Sequence, residues 1–375
     1  MRIGILTLPL HTNYGGILQA YALQIVMERM GHKVVIFDTD KKLDTRIWKH
    51  PRTLISRCVN KFIRREHTRI FYERWYNNTY PIISQHIQKF LDKYMHILKT
   101  SDFNKLTNSS FDVLIVGSDQ VWRPMYFTWM YKKPIYDAYL AFARDWDVKR
   151  ISYAPSFGTE DWEYSEEQSK RCGELLNLFN VVTVREESGV KLCREHFGVN
   201  ATHVLDPTLL VDRVDYIKLI ENSSTPQSPG NLLCYILDDS NKKTNIIDTI
   251  ARKKGLVPFY VNSKSINNEC PIEERIKPSI ESWLRGFYDA ELVVTDSFHA
   301  CVFSIIFNKP FFVIGNKERG MARFESLLIM FGLQDRMIDI NNSCFDSKDI
   351  DWTLIQTVLE KKRNDSYKIL YEALK

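Results

Sequence analysis

The chain has 375 residues, of which 44% are hydrophobic and 26% charged, with a formal charge of +5. That length is too great for one ordinary domain of about 150 residues, and no apolar run reaches the roughly 20 residues of a membrane helix. So slight a positive charge does not by itself imply a nucleic-acid ligand. The seven cysteines, Cys58, Cys172, Cys193, Cys234, Cys270, Cys301 and Cys344, include no C-x-x-C pair. Their scatter suits a reducing cytoplasm and argues against a disulfide framework or a zinc site.

The N-terminal "RIGILTL" is a short β-rich run that "HTNYGG" interrupts, so it reads as a first strand and not as an export signal. "GGILQAYALQIVMERMGH" predicts a mostly buried helix stopped at Gly31, and "KVVIFD" a second buried strand. Together they make a β-α-β unit, which implies a parallel sheet with a right-handed crossover. Residues 41–76 then form a basic, aromatic-laced stretch. After it, "QHIQKFLDKYMHIL", "SEEQSKRCGELLNLF" and "ESGVKLCREHFG" are expected as helices, and "FDVLIVGSD", "RISYAPS", "VVTVR" and "ATHVL" as strands.

"STPQSPGN", at 224–231, is the most linker-like piece. Beyond it strands ("LLCYILD", "VPFYVN", "ELVVTD", "PFFVIG") alternate with helices ("NIIDTIARKKG", "SIESWLRGFYDA", "SFHACVFSIIFN", "FESLLIMFGL"). The expected architecture is two Rossmann-like domains facing a cleft, 1–223 and 224–375, with the last helix returning to the first domain. Ligands in such sheets lie beyond the carboxyl ends of the strands.

Several polar clusters fall at those ends. In "HTNYGG", Asn13, Tyr14, Gly15 and Gly16 open the first helix, whose free N–H groups suit an anion, though a plain glycine turn explains them equally. In "VGSDQVWRP", Asp119, Gln120 and Trp122 are the mixture a sugar wants: hydroxyl partners beside an indole face. The alternative is a helix cap with Trp122 in the core. Arg185 in "TVREES" could hold a carboxylate or phosphate with its guanidinium fork, or pair with an internal acid. In "TDSFHA", His299 lies one turn into a helix that Asp296 or Ser297 could cap, placed either as a proton carrier or as a buried ring satisfied by a carbonyl. Lys317, Arg319 and Arg323 follow the next strand, as anion ligands or as a solvated loop.

Six pieces, "MRIGILTLPLHTNYGGILQAYALQ", "VGSDQVWRP", "SYAPSFG", "VVTVREESG", "VLDPTLL" and "TDSFHACVFSIIFNKPF", resemble in order the bacterial polysaccharide pyruvyl transferases. The resemblance implies a GT-B-like α/β fold. It also implies a reaction that moves the pyruvyl group of phosphoenolpyruvate onto two hydroxyls of a sugar, forming a cyclic ketal and releasing phosphate. The acceptor would be a glycan or lipid-linked oligosaccharide of a surface polysaccharide, and no cofactor is implied beyond the phosphoenolpyruvate donor.

On this reading His299 and Asp119 are catalytic. Arg185, Ser297, Lys317, Arg319 and Arg323 lie on the donor side, in the second domain apart from Arg185. Asn13, Tyr14, Gly15, Gly16, Gln120 and Trp122 lie on the acceptor side. Members of that family read Arg-Leu-His where this chain has Ser297-Phe298-His299, so a donor-binding arginine is replaced, with Arg319 and Arg323 as candidate substitutes. A nucleotide-sugar glycosyltransferase and a non-catalytic glycan-assembly partner are the competing functions. The basic stretch at 41–76 is either a solvated helical face or a peripheral contact of a cytoplasmic enzyme with anionic membrane. No nucleic-acid motif accompanies it.

Overall fold

The structure is a computed structural model that describes residues 1–46, 51–66, 68–100, 102–265, 267–315, 320–338, 340 and 348–375. The expected donor-side residues Lys317 and Arg319, with Trp48, Lys49 and Cys344, lie outside them.

Seven strands form the first sheet: β1 (Arg2–Leu6), β2 (Lys33–Asp38), β3 (Ile97–Lys99), β4 (Val113–Val116), β5 (Lys149–Ser152), β6 (Val181–Val184) and β7 (Thr202–His203). Their order is β3-β2-β1-β4-β5-β6-β7, and every pairing is parallel. The second sheet holds β8 (Leu232–Tyr235), β9 (Pro258–Phe259), β10 (Leu292–Thr295), β11 (Phe311–Ile314) and β12 (Met337–Ile338) in the parallel order β12-β11-β10-β8-β9. β4, β8, β10 and β11 are buried along their whole length. Helices cover both faces of such a sheet, so its strands read as unbroken apolar runs.

Each sheet reverses its strand order once. In the first, β1 lies between β2 and β4; in the second, β8 and β10 are neighbours although β9 intervenes in sequence. The loops leaving the two strands at such a point diverge and leave a crevice.

The apolar core between the sheets is continuous. It joins Ile5, Ile17 and Tyr153 of the first half to Tyr235, Trp283 and Phe303 of the second. The helix Trp352–Leu374 closes it with Ile355, Leu359 and Leu370. That helix crosses back to the first half: Arg363 Nε donates to Leu209 O at 2.8 Å, Tyr367 Oη to Leu210 O at 3.0 Å, and Ser366 Oγ accepts from Leu205 N at 3.2 Å.

The helix Arg213–Glu221 and the strand β12 are not among the elements expected from the sequence. The helix expected over "QHIQKFLDKYMHIL" ends at Tyr94, where Met95 turns extended, and Ile97 to Lys99 pair with β2. The basic stretch is no single face: it contains the helices Pro51–Phe62 and Tyr72–Ile83, clasped by an Arg57–Glu73 ion pair of 2.7 Å. No described helix is long and apolar enough to cross a membrane.

Candidate active site

The loops from both strand-order reversals meet around one cavity of about 240 Å³. From the first sheet come His11, Asn13 and Gly16 after β1, and Asp119 and Gln120 after β4. From the second come Leu237 after β8, and Asp296, Ser297 and His299 after β10; the helix Ala322–Phe331 adds Arg323.

The β4 loop is held in an unusual path. Gly117 has φ +148°, and a Cβ there would collide with the Tyr153 carbonyl, so only glycine fits. Ser118 N donates to Gln19 Oε1 at 3.0 Å, and Ser156 N to Asp119 O at 2.8 Å. Asp119 itself has φ +68°, the left-handed region that non-glycine residues adopt at some cost.

The β10 loop is fixed by Asp296. Its carboxylate accepts from the backbone N–H of Leu237 at 2.7 Å and of Asp238 at 3.1 Å, and pairs with Lys243 at 2.7 Å. It does not cap the following helix. Ser297 takes the N-cap position of Phe298–Ile306 with no side-chain cap hydrogen bond. The first-turn N–H groups of that helix have no partner within it and so favour an anion.

Behind the cavity runs a buried charged network. Arg185 Nη1 donates to Asp206 Oδ2 at 2.8 Å, and Nη2 to Asp119 Oδ1 at 3.4 Å. Asp206 also accepts from Thr208 N at 3.0 Å and Thr208 Oγ1 at 2.6 Å. His299 Nε2 stands 3.7 Å from Asp206 Oδ2 and makes no hydrogen bond among the described residues. The imidazole rests on Gly15, where a Cβ would overlap Nδ1.

Burial alone would raise both carboxyls. For Asp119, the charges of Arg185, His299 and Arg323 outweigh burial and hold its pKa below the ordinary value. Asp206 is likewise held low against burial by its close approach to His299, by the charge of Arg185 and by the hydrogen bond from Thr208. Arg323 goes the other way: burial first, then the like charge of Arg185, pushes it down to about 10. His11 is pushed down to about 3 by burial and by Lys41, so its ring is neutral near pH 7.

Of the expected site residues, Asn13, Gly16, Asp119, Gln120, Ser297, His299 and Arg323 line this cavity. Four others require correction. Trp122 is 0% exposed, stacked on Tyr139 at 5.0 Å with Nε1 donating to Ala138 O, so its face is closed to a sugar. Tyr14 is buried on Trp283 at 5.5 Å and donates its hydroxyl to Pro278 O at 2.8 Å. Gly15 serves His299 and does not line the cavity. Arg185 is 4% exposed and committed to two aspartates, so it orders the site from behind and does not face a donor.

Besides Phe298 and Phe324, the cavity is lined by the aromatic groups of Tyr126 and Trp129, the latter 68% exposed. Tyr126 and Trp129 escape sequence reasoning because "PMYFTWMY" is apolar all round, so nothing marks its solvent side. Asp206 is missed as well, although it follows β7 within "VLDPTLL" as Asp119 follows β4.

Two parallel sheets whose crevices face each other define a GT-B-like α/β architecture. The fold is similar to that of Arabidopsis thaliana UGT89C1 complexed with UDP-L-rhamnose, with 10% identity, 99% of this chain and 97% of that one covered, and a TM-score of 0.50. It is also similar to UDP-GlcNAc 2-epimerase from Neisseria meningitidis bound to UDP-GlcNAc, with 12% identity, coverage of 100% and 99%, and a TM-score of 0.49. No curated protein matches the chain. Residues 13–318 match the sequence pattern of polysaccharide pyruvyl transferases, and the chain belongs to that family.

Proposed function

We propose that the protein transfers the pyruvyl group of phosphoenolpyruvate onto two hydroxyls of a sugar in a surface-polysaccharide precursor, forming a cyclic ketal and releasing phosphate. The observation that carries this reading is the convergence, at one cavity, of His299, Asp119 and Arg323 with the open first turn of Phe298–Ile306. A donor with a carboxylate and a phosphate needs fixed positive groups, and Arg323 with the helix terminus supplies them. Arg323 stands 5.4 Å over the ring of Phe298, the residue after Ser297, which supports it as the cation that takes over from the arginine of relatives.

An addition and a displacement complete the reaction. In the first, a sugar hydroxyl attacks the substituted alkene carbon and its proton ends on the methylene carbon, making a methyl group. In the second, the other hydroxyl displaces phosphate, which leaves with that hydroxyl's proton. His299 carries the first proton from oxygen to carbon, and Asp206, 3.7 Å from Nε2, shares the positive charge the ring gains meanwhile. Asp119, kept ionised, accepts a hydrogen bond from an acceptor hydroxyl and orients it. Trp129 and Tyr126 offer the sugar the apolar faces that Trp122 does not.

Thermal unfolding with phosphoenolpyruvate, and separately with UDP-, GDP- and CMP-sugars, tests this. Phosphoenolpyruvate at about 100 times its Kd should add about 2.7 kcal/mol, and Arg323→Met should remove that gain. Stabilisation by a nucleotide sugar alone would reassign the chain to glycosyl transfer.

A further inference from the structure

The helix Pro51–Phe62 has no buried residue. Its apolar side chains recur at 51, 54, 55, 58, 59 and 62, which is one stripe of a 3.6-residue helix. Leu54, Cys58 and Val59 in the stripe are half-buried, while its outer edge faces solvent: Ile55 is 62% exposed and Phe62 69%, and beside them Ile63 is 74% and Phe71 61% exposed. Residues 51–74 carry seven Arg and Lys against two Glu, and one of those cations, Arg57, is already held by Glu73.

We propose that this helix, with Ile63 and Phe71, is a docking element that lies in the surface of an anionic lipid bilayer. An amphipathic helix with large apolar groups on one side and cations around them gains from both terms at once, acyl contact and attraction to acidic head groups. The excess of positive charge on one small surface, which Glu66 and Glu269 offset only in part, argues against a second copy as the occupant, because self-pairing would bring like charges together.

The position fits. Lys61, Arg65 and Arg69 line a recess that shares Tyr72 and Asn268 with an aromatic groove, and that groove shares His11, Trp129 and Met130 with the central cavity. A path thus runs along the surface from the cavity to the proposed bilayer contact. This inference depends on neither the donor nor the chemistry proposed above.

The test is flotation of the full chain with phosphatidylcholine vesicles, with and without phosphatidylglycerol, at low and high salt. Wild type should float only with the acidic vesicles, and less at high salt. Lys61→Gln/Arg64→Gln/Arg65→Gln should lower partitioning about fivefold per cation, and Ile55→Ser/Phe62→Ser/Ile63→Ser should abolish it. None of these residues is buried, so both variants should keep the wild-type melting temperature and response to phosphoenolpyruvate. Failure of wild type to float at low salt overturns the proposal. So does flotation that survives the apolar triple change, or a concentration-dependent dimer in sedimentation that the triple change dissolves. A chain that floats yet ignores phosphoenolpyruvate would sink the pyruvyl reading alone.

Discussion

At the scale of single residues, the site rests on a buried alternation of charge, Asp119, Arg185, Asp206, with the His299 ring 3.7 Å beyond it. Both carboxyls have native pKa values below their unfolded ones. Their contribution to stability is therefore complete above the unfolded aspartate value of about 4 and drains away as pH falls below it. Asp206→Asn should cost about 3–5 kcal/mol at neutral pH, because it leaves Arg185 without its better partner. Urea unfolding from pH 7 down to pH 3 should show the gap between wild type and variant narrowing; a constant gap would mean that Asp206 is not held ionised by its neighbours. That His299 and Asp119 border the crevice was legible in the sequence because both closely follow buried strands. Trp122 misled for the same reason: an indole after a strand can turn to the crevice or to the core, and spacing does not distinguish them. Arg185 reads equally as an anion ligand or as half of an internal ion pair until Asp206, 21 residues on, is seen opposite it.

At the scale of elements, the first helix does more than fill space. Gln19, buried on Tyr14–Arg29, donates to Thr7 Oγ1 at 3.0 Å and Gly16 O at 2.8 Å, and accepts from Ser118 N at 3.0 Å. One side chain thereby ties the β1 loop, the helix start and the loop that carries Asp119. Gln19→Leu keeps the volume but strands the buried Ser118 N–H, at a cost of about 1–3 kcal/mol. The denaturation midpoint should fall accordingly, and an unchanged midpoint would show that the tie is dispensable. Strands of four residues or more were legible as apolar runs. β3, hidden in the continued periodicity of "KYMHIL", was not, nor was the short helix Pro124–Tyr131, whose composition suits core and surface alike.

At the scale of the molecule, the two sheets share one core and the last helix binds both. Calorimetry should therefore record a single transition with equal calorimetric and van't Hoff enthalpies, although chains of this length often unfold in parts. Two resolved peaks would show that the halves are energetically separate. Alternating strands and helices announce two halves, but no local pattern can announce that they melt together, because the contacts responsible join residues more than 150 positions apart.

The returning helix also sets an order in time. Chains fold from the N-terminus as they leave the ribosome, and here all seven strands of the first sheet are made before the second begins. Yet the backbone carbonyls of Leu209 and Leu210 and the N–H of Leu205 receive their partners from Arg363, Tyr367 and Ser366. The half that is synthesised first thus waits for the helix Trp352–Leu374, and until that helix is made it carries an uncovered apolar seam that nascent-chain chaperones would meet.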